Sequence, residues 1–210
     1  MPSFTIETDS PEATAALGDA LGKLLRKGDI ICLAGPLGAG KTVFVRGLAE
    51  GLGVEEIVSS PGFVIVHEHR ASGRRKPRGA RSPTGPVPFY HIDLYRLTPD
   101  QTLDIGLETY FEGQGVCAVE WADHLATSFE LDCLEITFSF GTREEARVLR
   151  AKAKAQGRRR GAASAEQRGA RLLEEFRRAA KTVSVRARRS SDGQARTAHS
   201  PRHSRGSGCP

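Results

Sequence analysis

No stretch of about 18 apolar residues runs through this 210-residue chain, so a membrane-spanning helix is not expected. Cysteine is sparse: Cys32, Cys117, Cys133 and Cys209, with no C-x-x-C pair among them. Two of these lie inside apolar runs, which reads as buried free thiols in a reducing cytosol and gives no support to zinc. Met1–Asp9 has two acids and no base, unlike the positively charged start of a signal peptide. A cytoplasmic protein is the expectation from these absences.

Charge is abundant but unevenly placed. Arg70–Pro88 carries six bases and no acid, Arg150–Arg160 again six and none, and Lys181–Pro210 seven bases against one acid. Together they hold +18 of a chain whose total is +6, so the remainder is about 12 charges negative. The pattern predicts an acidic domain over residues 1–180 with basic inserts near 70–87 and 150–164, followed by a basic disordered tail at 181–210. Such segments are suited to phosphate contacts with RNA that carry no sequence information.

The apolar residues concentrate before about Leu149 and predict an α/β domain. Phe4–Thr8 alternates as a strand. Ser10-Pro11-Glu12 then opens a helix, with Ser10 as cap and Ala13, Leu17, Leu21 and Leu24 or Leu25 facing inward. Asp29–Ala34 is short and apolar on both faces, as in the central strand of a covered sheet. Further strands are expected over Phe63–His67, Pro88–Leu94, Val116–Trp121, Leu134–Phe140 and Glu145–Leu149. The expected helices span Lys41–Gly51, Asp104–Tyr110 and Ala165–Ala180.

Gly35-Pro36-Leu37-Gly38-Ala39-Gly40-Lys41-Thr42 satisfies G-x-x-x-x-G-K-[ST] at every fixed position and stands between the apolar strand and an amphipathic helix. Glycines let the backbone curl so that successive N–H groups surround phosphates, and the helix adds its positive end. Lys41 is placed for the β- and γ-phosphates and Thr42 for magnesium. With no N-K-x-D guanine signature, ATP is preferred over GTP. Two acids end apolar strands, Asp93 and Glu120, where side chains enter the ligand crevice of open α/β sheets. Either suits magnesium or its waters, and Glu120 also suits a base towards attacking water. Trp121 follows as a stacking or packing residue, and His91 and Tyr95 flank Asp93. His67-Glu68-His69 has a metal-like look but no third ligand.

The ordered set Leu37–Thr42, Ser60-Pro61, His91-Ile92-Asp93-Leu94-Tyr95-Arg96-Leu97 and Val119-Glu120-Trp121 resembles the TsaE (YjeE) family of small bacterial P-loop ATPases. The resemblance runs from about Phe4 to Leu149. It implies a P-loop NTPase-like three-layer sandwich with a mixed, mostly parallel central sheet, and ATP and Mg2+ as cofactors. It also implies TsaD and TsaB as partners in forming threonylcarbamoyladenosine next to the anticodon of tRNA. By the same resemblance Lys41 and Thr42 bind phosphate and magnesium, Asp93 and Glu120 serve nucleotide chemistry, and Trp121 belongs to their cluster. Pro36 departs mildly from the family pattern. Gly62 stands where the family has the threonine of S-P-T and offers no hydroxyl, so altered hydrolysis or partner coupling is expected with ATP binding retained. Two other readings stay open: a nucleotide-gated RNA or protein adaptor, and a P-loop kinase of small molecules.

Overall fold

The computed structural model describes residues 3–59, 64–72, 87–155 and 168–183. Expectations for Ser60-Pro61-Gly62, for most of the 70–87 insert, for residues 156–167, for Cys209 and for the chain beyond 183 lie outside them. The strands are β1 (Ser3–Thr8), β2 (Ile30–Ala34), β3 (Val66–Ala71), β4 (Val87–Asp93), β5 (Val116–Glu120), β6 (Cys133–Phe140) and β7 (Arg147–Lys154). Three helices are α1 (Pro11–Gly22), α2 (Lys41–Leu52) and α3 (Glu108–Phe111), and residues 168–183 form α4.

The seven strands make one sheet in the order β1-β7-β6-β2-β5-β4-β3. β6, β2, β5 and β4 pair in parallel. β7 opposes both β6 and β1, which returns β1 to the common direction, and β3 opposes β4. Five of seven strands therefore share a direction, the mixed and mostly parallel sheet that the resemblance implied. β2 and β5 sit at its centre and are buried on both faces, which is why they read as unbroken apolar runs rather than alternating ones.

One face packs α1, α2 and α4 over Leu33, Leu134, Ile136 and Phe138. Phe44 of α2 meets Phe138 of β6 and Phe176 of α4 edge-on, and Phe176 meets Phe4 of β1. The other face carries Ile30, Cys32, Ile92, Cys117 and Val119 under Leu107 and Phe111. Its cover is thin, built from α3 and from 3-10 turns at Asp100–Leu103 and Ala122–His124.

Placement of α2 depends on four glycines. Gly18 and Gly22 of α1 face Gly47 and Gly51 of α2, each pair four residues apart and so on one helix face. A Cβ at these positions would lie 2.1 Å from Phe44 O, 2.2 Å from Leu48 O, 1.9 Å from Ala15 O and 2.2 Å from Asp19 O, respectively. The helices touch backbone to backbone, which no side-chain-bearing residue allows. Ser10 caps α1 by accepting from the Ala13 N–H at 3.2 Å, and Gly53, at φ 85°, ends α2.

Several boundaries differ from the sequence expectation. The strand sought at Phe63–His67 lies at Val66–Ala71, because its half-buried alternation buries His69 and Ala71 and exposes Glu68 and Arg70. The helix sought at Asp104–Tyr110 is split by Gly106 in the left-handed region at φ 69°, leaving a 3-10 turn before it and α3 after it. Arg150–Lys154 is not an insert but the second half of β7. Arg150, Lys152 and Lys154 alternate there with Ala151 and Ala153, which pack with Leu149 on the α1–α2 core. A count of bases hides that alternation. Helix α4 likewise continues past residue 180, and Val183 packs against the core.

Candidate functional site

The phosphate loop leaves the C-terminal end of β2 and enters α2 at Lys41. Gly35 adopts φ 128° and a Cβ there would stand 2.3 Å from Phe138 O, so glycine is required on both counts. Gly38 and Gly40 also lie in the left-handed region, at φ 75° and 93°. Gly40 caps α2 without any side-chain hydrogen bond. The first N–H groups of a twelve-residue helix therefore open onto the loop with no capping side chain, the arrangement that receives an anion.

Around this loop the sheet gathers the predicted residues. Leu33 of β2 pairs with Glu120 of β5, which pairs in turn with Asp93 of β4, so three parallel strand ends deliver both carboxylates beside the loop. The Thr42 hydroxyl donates to Glu120 Oε2 at 2.8 Å. His91 Nε2 lies 2.8 Å from Glu120 Oε1, and both side chains are essentially buried. Asp93 Oδ1 accepts the Tyr95 N–H at 3.0 Å, which turns the chain out of β4.

Lys41 Nζ donates to Gly35 O at 2.6 Å and to Pro36 O at 2.9 Å. The same ammonium stands 3.7 Å from the centre of the Trp121 ring, a cation–π contact. Burial pushes the Lys41 ammonium below its ordinary range, while the nearby carboxylates of Glu120, Asp123 and Asp93 pull it back up. Trp121 reaches this place through backbone strain. It is a non-glycine residue with φ 58°, and that left-handed turn at the end of β5 swings the indole across the loop. Tyr95 and His124 flank the indole at ring distances of 4.7 Å and 5.6 Å. His124 Nδ1 is held by the carbonyls of Leu94 and Leu97.

These residues fit magnesium and a nucleoside triphosphate. The oxygens of Thr42, Glu120 and Asp93 are the hard donors magnesium takes, and the loop amides with Lys41 suit phosphate oxygens. Among the described residues no three His, Cys, Asp or Glu side chains form a metal cage. His67-Glu68-His69 does not converge: His69 pairs with Glu56 at 2.9 Å, and Glu68, which points to the opposite side of β3, accepts from Tyr110.

Sequence reasoning missed two contacts. Arg147, first residue of β7, donates from Nη2 to Gly38 O at 3.3 Å and from Nη1 to the carbonyls of Glu144 and Ala146. It ties the β6–β7 hairpin to the loop across 109 residues of sequence, and no local motif announces it. His91 reads as a residue that merely steadies the strand, yet it touches Glu120. The strand register was the missing information, since it places His91 beside the small Ala118, two residues before Glu120.

Comparison with known proteins finds relatives of one family. The protein family described as "Threonylcarbamoyl adenosine biosynthesis protein TsaE" matches residues 8–149. The tRNA threonylcarbamoyladenosine biosynthesis protein TsaE of Bacillus subtilis (strain 168) is 40% identical over 136 residues, which cover 65% of this chain and 77% of that one. The protein of the same name from Treponema pallidum is 37% identical over 131 residues, covering 62% of this chain and 85% of its own. The crystal structure of Bacillus subtilis YdiB superposes with a TM-score of 0.59 at 32% identity, covering 84% of this chain and 95% of that chain.

Proposed function

The chain belongs to the TsaE family and acts in tRNA threonylcarbamoyladenosine biosynthesis, and from that premise we propose that its part is to bind and hydrolyse magnesium–ATP. The observation that carries this reading is the Thr42–Glu120 hydrogen bond of 2.8 Å, which sets a hydroxyl and a carboxylate beside the phosphate loop. The loop amides of Gly38–Thr42 and the N-terminus of α2 receive the phosphates. Lys41 exchanges its carbonyl partners on Gly35 and Pro36 for phosphate oxygens and neutralises charge there. Thr42, Glu120 and Asp93 would hold magnesium or its waters. Magnesium held there would supply charge neutralisation and polarisation of the phosphate oxygens. Trp121, packed over Lys41, keeps bulk water from the ammonium. TsaB and TsaD stimulate the turnover, and basic segments contact tRNA through phosphates.

Calorimetry with magnesium–ATP and phosphate release with and without purified TsaB and TsaD test this. Lys41→Ala is expected to abolish tight nucleotide uptake. Glu120→Ala should lose turnover and, as the loss of a magnesium-side carboxylate, reduce the magnesium-dependent gain in nucleotide affinity by about 10-fold or more. Uptake without turnover, even with both partners, would instead assign a nucleotide-gated adaptor. Phosphate passing to an added acceptor would assign a kinase.

A further inference from the structure

We propose that His91 is a positioning residue for Glu120, fixing the carboxylate in the one orientation that serves magnesium; this rests on the ATPase reading above. His91 is fully buried at 0% exposure and Glu120 is 2% exposed. A carboxylate only accepts, so the 2.8 Å contact makes His91 Nε2 the donor to Oε1. Thr42 donates to Oε2 from the other side. Gripped at both oxygens, the Glu120 side chain keeps one rotamer and presents its remaining lone pairs to the crevice.

The strand pairing explains how an imidazole reaches so far. His91 pairs with Ala118, whose methyl leaves room on that face, and the ring extends diagonally to Glu120 two residues on. Nor is packing the reason for a histidine at this place. His91 Nδ1 is buried without a hydrogen-bond partner, which costs stability that an apolar residue would not. The same face of β4 carries Val87 and Phe89 immediately before it. A leucine would continue that apolar face at lower cost, so the retained donor is the feature with a use. Partners that orient a metal-side carboxylate commonly govern metal affinity by about 10- to 100-fold.

The test compares His91→Gln, whose amide nitrogen can occupy the Nε2 position, with His91→Asn, whose nitrogen stops at the Nδ1 position. For each full-length variant, nucleotide affinity is measured by calorimetry in magnesium and in chelator, beside the melting temperature. The magnesium-dependent gain in affinity should stay near wild type in His91→Gln and shrink by about 10-fold or more in His91→Asn, with chelator values unchanged. Equal gains in both variants, or losses that track the melting temperature, would overturn the proposal. Nitrogen-15 imidazole spectra of the wild-type chain give a check that no substitution can spoil. An exchange-protected histidine protonated at Nε2 is expected, and the absence of one refutes the geometry. Failure of the wild type itself to take up magnesium–ATP would instead defeat the ATPase reading, leaving the two failures distinct.

Discussion

Replacing Gly47 by alanine should destabilise the protein, although alanine is the better helix former. The added Cβ would meet Ala15 O at 1.9 Å, with Ala15 C at 2.7 Å and Ala15 Cα at 3.0 Å, all backbone atoms of the facing helix. Relief to ordinary contact requires α1 and α2 to part by more than about 1 Å along the line where Gly18, Gly22 and Gly51 also touch. Overpacking of this kind costs about 1–3 kcal/mol, and a clash with backbone belongs at the upper end. Alanine's helix propensity returns about 1 kcal/mol, leaving a net loss of about 2 kcal/mol. In a domain of this size that lowers Tm by about 4–8 °C. Gly169→Ala in α4 supplies the control: its Cβ meets only Ala153 Cβ at 3.4 Å. There the propensity gain is not opposed, and stability should rise by up to about 1 kcal/mol. Urea denaturation of both variants with unchanged m-values reads the difference. A Gly47→Ala variant as stable as wild type would refute the backbone-contact account of how α2, and with it Thr42, is placed.

Four further outcomes follow from the same contacts. Trp121 is the single tryptophan of the chain and lies under the Lys41 ammonium, so saturable magnesium–ATP binding should change its emission; calorimetric binding with constant emission would contradict the placement of Lys41. Arg147→Ala removes the guanidinium that holds Gly38 O, and nucleotide affinity should weaken about fivefold, the effect of losing about 1 kcal/mol of charge-assisted hydrogen bonding. Burial pushes the Cys117 thiol up to about 12. Cys32 is raised by its hydrogen bond with Cys133 and by burial, so at pH 8 thiol reagents should label both only when denaturant is added. Burial also raises the Asp29 carboxyl, against the opposing hydrogen bond from the Arg26 N–H. The folded protein then holds that proton more tightly than the unfolded chain, so stability from this group is present below the ordinary carboxylate value and is lost as pH rises through the raised one. Asp29→Asn should therefore gain on the wild type between acid and neutral pH in urea titrations, and a pH-independent difference would count against it.

What could be read in advance follows from how local each signal is. The phosphate loop needs only eight contiguous residues and their flanks, and Asp93 and Glu120 are marked by the apolar strands that end on them. Covered central strands announce themselves because both faces are apolar. The resemblance puts Trp121 in the cluster of site residues, but that its indole covers Lys41 depends on a left-handed backbone turn that no propensity favours for tryptophan. The glycine pairs of α1 and α2 stood in the sequence at four-residue spacing, but only tertiary structure says that the two helices face each other. For β7 the sequence predicts a strand only over Glu145–Leu149, because the lysines and arginine that follow suggest solvent, whereas β7 runs to Lys154. They occupy alternate positions opposite the buried Leu149 and Ala151, and Lys152 pairs with Glu135 at 2.8 Å. The strand's alternation and its charge describe the same residues, and pairing with both β1 and β6 decides between them. Arg147 shows the functional consequence of that decision. It lies inside the strand expected at Glu145–Leu149, but pairing on both sides, with Thr8 of β1 and Phe140 of β6, is what fixes it beside Gly38 and makes the hairpin part of the wall of the phosphate loop.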